Sequence, residues 1–380
     1  MSITTFSFPT TIHFGPGARK LVAAHLLQAG FKRPLIVTDM ALATLPILIE
    51  FRALLAGLEA AVFSGVFGNP TGSQVMAGSA AYRTHQADCV IGFGGGAALD
   101  VAKVVGLAAT HEGDILDYAR DQPDMRAING ELPYFVALPT AAGTGSEVGR
   151  SSVISDNETR LKRVLFGPRL MAKAVFADSE LTLGLPPHIT AATGMDALTH
   201  NIESYLSPTW HPLCEGIALQ GTRMAARALR TAVKEPGNLQ ARSDMMMASM
   251  MGAIAVEKGL GAVHSCAHAL GAVCDLHHGL ANALMIDTVL AWNQEAAPAR
   301  FDELAHVCGL NEGVHGGQAL VPWLRQLKAS IGIIGPLSAH GVRPEHLPRL
   351  VEIASADICH QTNPRPCTAA DFEQLFKAAL

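Results

Sequence analysis

The sequence predicts an α/β N-terminal domain with a parallel, Rossmann-like sheet (residues 1–185) followed by an all-helical C-terminal domain (residues 186–380). Short apolar runs alternate with longer helix-like segments through the first half, the pattern of a parallel sheet covered by helices. After Leu185-Pro186-Pro187 the strand-like runs nearly vanish. Two glycine-rich turns follow strand-like runs, where open α/β sheets bind ligands.

Leu35-Ile36-Val37, ending in Thr38-Asp39, reads as the first parallel strand. Ala61-Val62-Phe63, Cys89 to Phe93 and Tyr134 to Leu138 are further strands. Ala41 to Leu58 reads mostly as helix, with Pro46 as a break or a first turn. Ser73 to Gln86 is a second helix after the turn Asn69-Pro70-Thr71-Gly72. Ser151 to Phe166 suits a β-hairpin about a polar turn. Beyond Pro187, the segments Ile189 to Tyr205, Leu213 to Val233, Ala241 to Lys258 and Ala262 to Val273 all suit helices. A cleft between two such domains is a common place for a small-molecule site.

Charged residues are only 16% of the chain, against about 25% in ordinary soluble proteins. The apolar share of 49% excludes a disordered chain. The net charge of −5 argues against a broad grip on nucleic acid. Seven cysteines are scattered without a CxxC pair, which suits reduced core thiols. Met1 to Phe6 shows no basic region leading into an apolar one, so no signal peptide is expected. The apolar stretch Met245 to Val256 is too short to span a bilayer and suits a core helix. The expected setting is the cytoplasm, with no membrane partner.

Gly92 to Asp100 follows an apolar strand and opens a helix from Ala97 to Thr110. Glycine lets the backbone approach a phosphate, and a helix N-terminus offers N–H groups and a positive dipole end. The spacing GxGGG differs from the dinucleotide fingerprint GxGxxG. The second loop, Pro139 to Glu147, is rich in small and hydroxyl residues. Asp39 closes its strand, where an acid can bind a ribose hydroxyl and repel a 2′-phosphate.

Histidine is in surplus, 16 residues in a chain poor in charge. Asp196 and His200 stand at i and i+4 in an apolar helix, as do His264 and His268. His277 and His278 follow. Polar groups in apolar surroundings need partners, and one carboxylate with imidazoles suits Fe(II), Zn, Co, Ni or Mn. The spacing does not say which of these histidines are ligands. His13, His25, His85, His111, His188, His211, His306, His315, His340, His346 and His360 show no such pattern and read as structural or surface residues.

Taken in order, these motifs resemble the iron-containing (group III) alcohol dehydrogenases, whose architecture is shared with dehydroquinate synthase. Gly94 to Lys103 looks like GGGSxxDxAK, and Pro139 to Glu147 looks like PTTAGTGSE. Gly194 to Glu203 resembles GMDALTHAIE. His264 to Gly271 and His278 to Ala283 match HxxAHxLG and HGxANA, and Asn363-Pro364-Arg365-Pro366 has its counterpart. The likeness covers nearly the whole chain.

The resemblance implies a metal held by Asp196, His200, His264 and His278, with Fe2+ as the first expectation and Zn2+ as the alternative. It places His268 beside the nicotinamide, in a supporting role in proton transfer. It implies NAD rather than NADP through Asp39, and a cofactor lined by Asn69, Gly95, Gly96, Ala97, Asp100, Thr140, Thr144 and Lys162. Register with the family puts Gly149, Ser151, Ile254 and Cys359 near the substrate. His277 falls outside the motif and is treated as a neighbour. Ala97 and Ala141 depart from the family's Ser and Thr, each removing a hydroxyl contact; Ala172 stands where Pro is common.

The implied activity is hydride transfer between a short primary alcohol or diol and NAD, with the metal as Lewis acid on the substrate oxygen, in a homodimer or larger assembly. Alternatives are a maleylacetate-reductase-like NADH-dependent reductase, a dehydroquinate-synthase-like lyase, and a non-catalytic nucleotide- or metal-binding protein. Asp196 speaks against the first of these, where that acid is typically replaced. The PTAAGTGSE and GMDALTH motifs speak against the second.

Overall fold

The computed structural model describes residues 10–159, 161–310 and 316–380. Met1 to Phe6 and His315, on which expectations were placed above, lie outside the described residues. The chain divides into two units. One comprises residues 10–141 and 145–182; the other comprises 183–380 together with 142–144.

The N-terminal unit runs β1 (Thr11–Phe14), α1 (Val22–Gln28), β2 (Pro34–Asp39), α2 (Pro46–Ala53), β3 (Ala61–Val66), α3 (Gly72–His85), β4 (Cys89–Gly94) and α4 (Gly96–Thr110). It continues with β5 (Tyr134–Pro139), β6 (Ser151–Ser155), β7 (Lys162–Phe166) and β8 (Ala174–Ala177). Six strands form one sheet in the order β1-β8-β5-β4-β2-β3, every pair parallel. The strand carrying Asp39 is therefore the second in the chain. β1 and β8, four residues each, are too short to stand out as apolar runs, yet they pair along their whole length.

Side chains alternate between the two faces of a strand. Cys89, Ile91 and Phe93 of β4 join Ile36, Val136 and Phe176 in one core layer with Val22 and Leu26 of α1 and Leu48 and Phe51 of α2. Phe51 and Phe93 stack at 5.0 Å, and full burial of each such ring is worth about 1.5–3 kcal/mol. On the opposite face, Gly92 faces Leu99 and Ala102 of α4. Helices thus cover both faces. β6 and β7 form the expected hairpin, with Ser151 opposite Phe166 and Ser155 opposite Lys162.

The segment from Ala41 is not one helix. A 3-10 turn covers Leu42–Thr44, and α2 begins at Pro46. Proline lacks an N–H and clashes with a preceding turn, so it starts α2 rather than continuing the earlier one.

The C-terminal unit contains α5 (Pro187–Leu206), α6 (Pro212–Lys234), α7 (Leu239–Ala255), α8 (Ala262–Cys274), α9 (His278–Asn293), α10 (Pro298–Val307), α11 (Leu320–Ser330), α12 (Leu347–Ala356) and α13 (Ala369–Ala379). It contributes no strand among the described residues. α5 is buried on almost every side and packs against α6, α7 and α9. A helix apolar all round belongs at the centre of a bundle. α5 nevertheless carries Asp196, His200, Asn201 and Glu203, all buried. Met245, Met246 and Met250 of α7 are core residues, and no single described helix is long and apolar enough to cross a membrane.

Candidate active site

In the C-terminal unit, α5 presents Asp196 and His200 one turn apart. α8 brings in His264, and the first residue of α9 is His278. The Nε2 atoms of His200 and His264 lie 3.1 Å apart. Asp196 Oδ1 is 3.9 Å from His264 Nε2 and 3.5 Å from His278 Nε2. Donor atoms of Asp196, His200 and His264 form one compact cluster.

The protonation pattern can be read from the outer contacts. His200 Nδ1 lies 3.0 Å from the Asp196 carbonyl, which can only accept. His264 Nδ1 lies 2.6 Å from Glu203 Oε2. Both rings therefore carry their proton on Nδ1 and aim an Nε2 lone pair inward. Burial pushes His200 down to about 4 despite the nearby Asp196 carboxylate. Burial also lowers His264, but the Glu203 hydrogen bond and the charges of Glu203 and Asp196 outweigh it, and the net direction is upward. Converging lone pairs with a buried carboxylate fit a divalent cation of borderline softness.

Glu203 is buried and does two things. Its Oε1 accepts the Val263 N–H at 2.7 Å and its Oε2 the His264 N–H at 3.3 Å, so it caps α8 while orienting the His264 ring. A Cβ at Gly261 would come within 2.5 Å of Glu203 Oε1, so a side chain there would block the cap. Asn363 Oδ1 accepts the Ala262 N–H from the other side, at 3.1 Å, which gives the Asn363-Pro364 motif a structural task. Asn282 Nδ2 donates to Asp196 Oδ1 at 2.7 Å and sits 3.3 Å from His278 Nε2. Gly279 lets α9 approach α5, since a Cβ there would lie 2.3 Å from the Ala192 carbonyl oxygen.

His268, one turn beyond His264, stacks near-parallel to His278 at 5.4 Å. Its Nδ1 lies 2.7 Å from Asp357 Oδ2. Burial works upward on the Asp357 carboxyl, but His268, the Cys359 N–H and the Ser265 hydroxyl together hold it well below the usual carboxylate range. His277 is exposed at the start of α9 and lies outside the cluster. Thr144, expected against the cofactor, donates its hydroxyl to Asp196 Oδ2 at 3.3 Å.

In the N-terminal unit, β2 and β4 are neighbours, but β3 lies outside β2. The chain thus reverses direction across the sheet between β2 and β4, the switch point at which such sheets bind ligands. Asp39 ends β2 there, its Oδ1 accepting the Leu42 N–H at 2.8 Å. Gly95 caps α4 with no side-chain hydrogen bond, which leaves the first turn to an anion. Thr140 N donates to Gly94 O at 3.0 Å and ties the two loops together. Asn69 follows β3, and Lys162 opens β7.

Asp100 lies behind the loop. Its carboxylate accepts Ser146 Oγ at 2.6 Å and Val153 N at 2.9 Å. Lys103 Nζ donates to Ser146 Oγ and to the Ser151 carbonyl. Asp100 and Lys103 are both buried and brace the loop from within.

Glu203, Asn282 and Asp357 are the residues that spacing missed. Glu203 and Asn282 fall inside the quoted motifs, but nothing local shows that their side chains turn inward. Asp357 is far in sequence from His268 and has no pattern of its own.

Known proteins match the chain over nearly its whole length. The iron-containing alcohol dehydrogenase family model matches residues 9–179, and the C-terminal model of the same family matches 190–380. A 4-hydroxybutyrate dehydrogenase of Cupriavidus necator is 35% identical over 380 residues, covering 98% of each chain. An NAD-dependent methanol dehydrogenase of Bacillus methanolicus is 33% identical over 386 residues, covering 100% of each. The crystal structure of a 1,3-propanediol oxidoreductase superposes with a TM-score of 0.95 at 35% identity, covering 100% of each chain.

Proposed function

The chain belongs to the iron-containing alcohol dehydrogenase family, and from that premise we propose that it interconverts a short primary alcohol or diol with its aldehyde, using NAD and a divalent metal on Asp196, His200, His264 and His278. The observation that carries the reading is the convergence of the His200 and His264 lone pairs beside the Asp196 carboxylate. Fe2+ is the first choice and Zn2+ the alternative, since imidazole and carboxylate donors admit both.

When bound, the metal supplies Lewis-acid polarisation of the substrate oxygen, and the nicotinamide accepts or gives the hydride. The protein's own residues do the rest. Asp196 puts one negative charge among three neutral rings, leaving a net positive centre with a divalent ion. Glu203 and Asn282 hold His264 and Asp196 in place. Gly95, Gly96 and Ala97 offer backbone N–H groups to the pyrophosphate, and Asn69, Thr140 and Lys162 stand at the ends of neighbouring elements. Asp39 accepts a ribose hydroxyl and repels a 2′-phosphate. His268, whose side chain is 17% exposed, passes the substrate proton toward water.

NADH consumption with a panel of C1 to C4 aldehydes, hydroxy-aldehydes and semialdehydes, on protein reconstituted with Fe2+ or Zn2+, tests this reading. Turnover of uncharged short aldehydes supports it. Turnover confined to carboxylate-bearing semialdehydes would move the substrate class toward that of the 4-hydroxybutyrate relative. A cytoplasmic homodimer or larger assembly is proposed on the family's pattern, and light scattering reads the assembly.

A further inference from the structure

We propose that Asp357 is a positioning residue that locks the His268 ring in a single tautomer, with the proton on Nδ1 and the Nε2 lone pair left as the acceptor. Asp357 caps the C-terminus of α12, where a carboxylate opposes the helix dipole. Its position is therefore unfavourable for α12 alone. What it gains is a complete set of partners from elsewhere. Oδ1 accepts the Ser265 hydroxyl and the Cys359 N–H, both at 2.8 Å. Ser265 Oγ in turn accepts the His360 N–H at 3.0 Å, which orients the hydroxyl proton toward Asp357. Oδ2 is thereby left to His268 Nδ1 at 2.7 Å.

Ser265 and His268 are three residues apart on α8, so one helix face supplies two of the three side chains. These donors all point at the Asp357 carboxylate, Ser265 and Cys359 on Oδ1 and His268 Nδ1 on Oδ2. An imidazole held this way by a partly buried carboxylate presents its other nitrogen as an oriented acceptor, the geometry in which a carboxylate serves a general base. The His268 ring also lies against His278, so its orientation matters next to the metal cluster. The inference rests on the proton role given to His268 above.

Asp357→Asn is the decisive variant, because its outcome is set by the existing donors. Ser265 and Cys359 both donate to the Oδ1 position, so the new amide oxygen must sit there and the amide nitrogen must face His268. That nitrogen donates, which forces the His268 proton onto Nε2. Nitrogen-15 spectra of histidine-labelled, metal-stripped full-length protein, with His268 assigned from His268→Ala, read the tautomer directly. The expected wild-type ring is protonated at Nδ1 and the Asp357→Asn ring at Nε2. In metal-loaded enzyme kcat should fall about 100-fold or more, with KM changed less than about threefold. The double variant with His268→Ala should be no slower than His268→Ala alone. A wild-type ring protonated at Nε2, or a tautomer unchanged by Asp357→Asn, overturns the proposal. Should the tautomer switch while His268→Ala keeps full turnover, the positioning stands and the proton role of His268 falls.

Discussion

His264 Nδ1 and Glu203 Oε2 lie 2.6 Å apart in a fully buried pair, and the same carboxylate caps the helix that carries His264. One side chain thus fixes both the backbone origin and the ring orientation of a proposed metal ligand. Replacing Glu203 by Gln keeps the size and removes the charge. Outer partners of metal ligands are typically worth 10- to 100-fold in affinity, and a loss of about that size is expected here. Competitive titration with a metal-binding dye measures it; unchanged affinity would show that Glu203 serves only as a helix cap.

Gly279→Ala should displace α9 from α5. The new Cβ meets a backbone oxygen at 2.3 Å, which cannot swing away as a side chain could. Overpacking of this kind costs about 1–3 kcal/mol. Thermal unfolding should show a lower Tm, and metal affinity should fall because His278 moves with the helix.

Glu147 is buried with one carboxylate oxygen unpartnered, and burial pushes its carboxyl up to about 7. The folded state then binds its proton more tightly than the unfolded state does. The contribution of Glu147 is fully present below its unfolded pKa, near 4.5, and is lost as pH rises through about 7. Glu147→Gln should remove this slope. Its Tm relative to wild type should rise between about pH 5 and pH 7 and level off above that, and parallel curves would contradict the reading.

Asp39→Gly should improve the use of NADPH relative to NADH by about tenfold or more, since an acid at this strand end disfavours a 2′-phosphate. The ratio of kcat/KM for the two cofactors checks it. A wild-type preference for NADPH would show that Asp39 does not select the cofactor.

The sheet and the central helices were legible because their apolar runs are long and punctuated. Leu35 to Asp39, Cys89 to Gly94 and Tyr134 to Pro139 became adjacent parallel strands. β1 and β8 were not, because a four-residue strand owes its existence to pairing between segments about 160 residues apart. The helical spacing of Asp196 with His200 placed both on one face of α5, and the structure brings His264 and His278 to them. The second layer was not legible. Whether Asn282 or Asp357 faces a histidine depends on how α9 and the end of α12 pack, which no local pattern records.

Removing and restoring the metal tests the central claim most directly. Wild-type protein stripped by chelation should lose aldehyde-dependent NADH oxidation, recover it on adding Fe2+ or Zn2+, and still bind NADH throughout. His264→Ala should bind NADH but neither retain metal nor recover turnover. Full turnover in rigorously metal-free wild type, or in His264→Ala, would contradict the account.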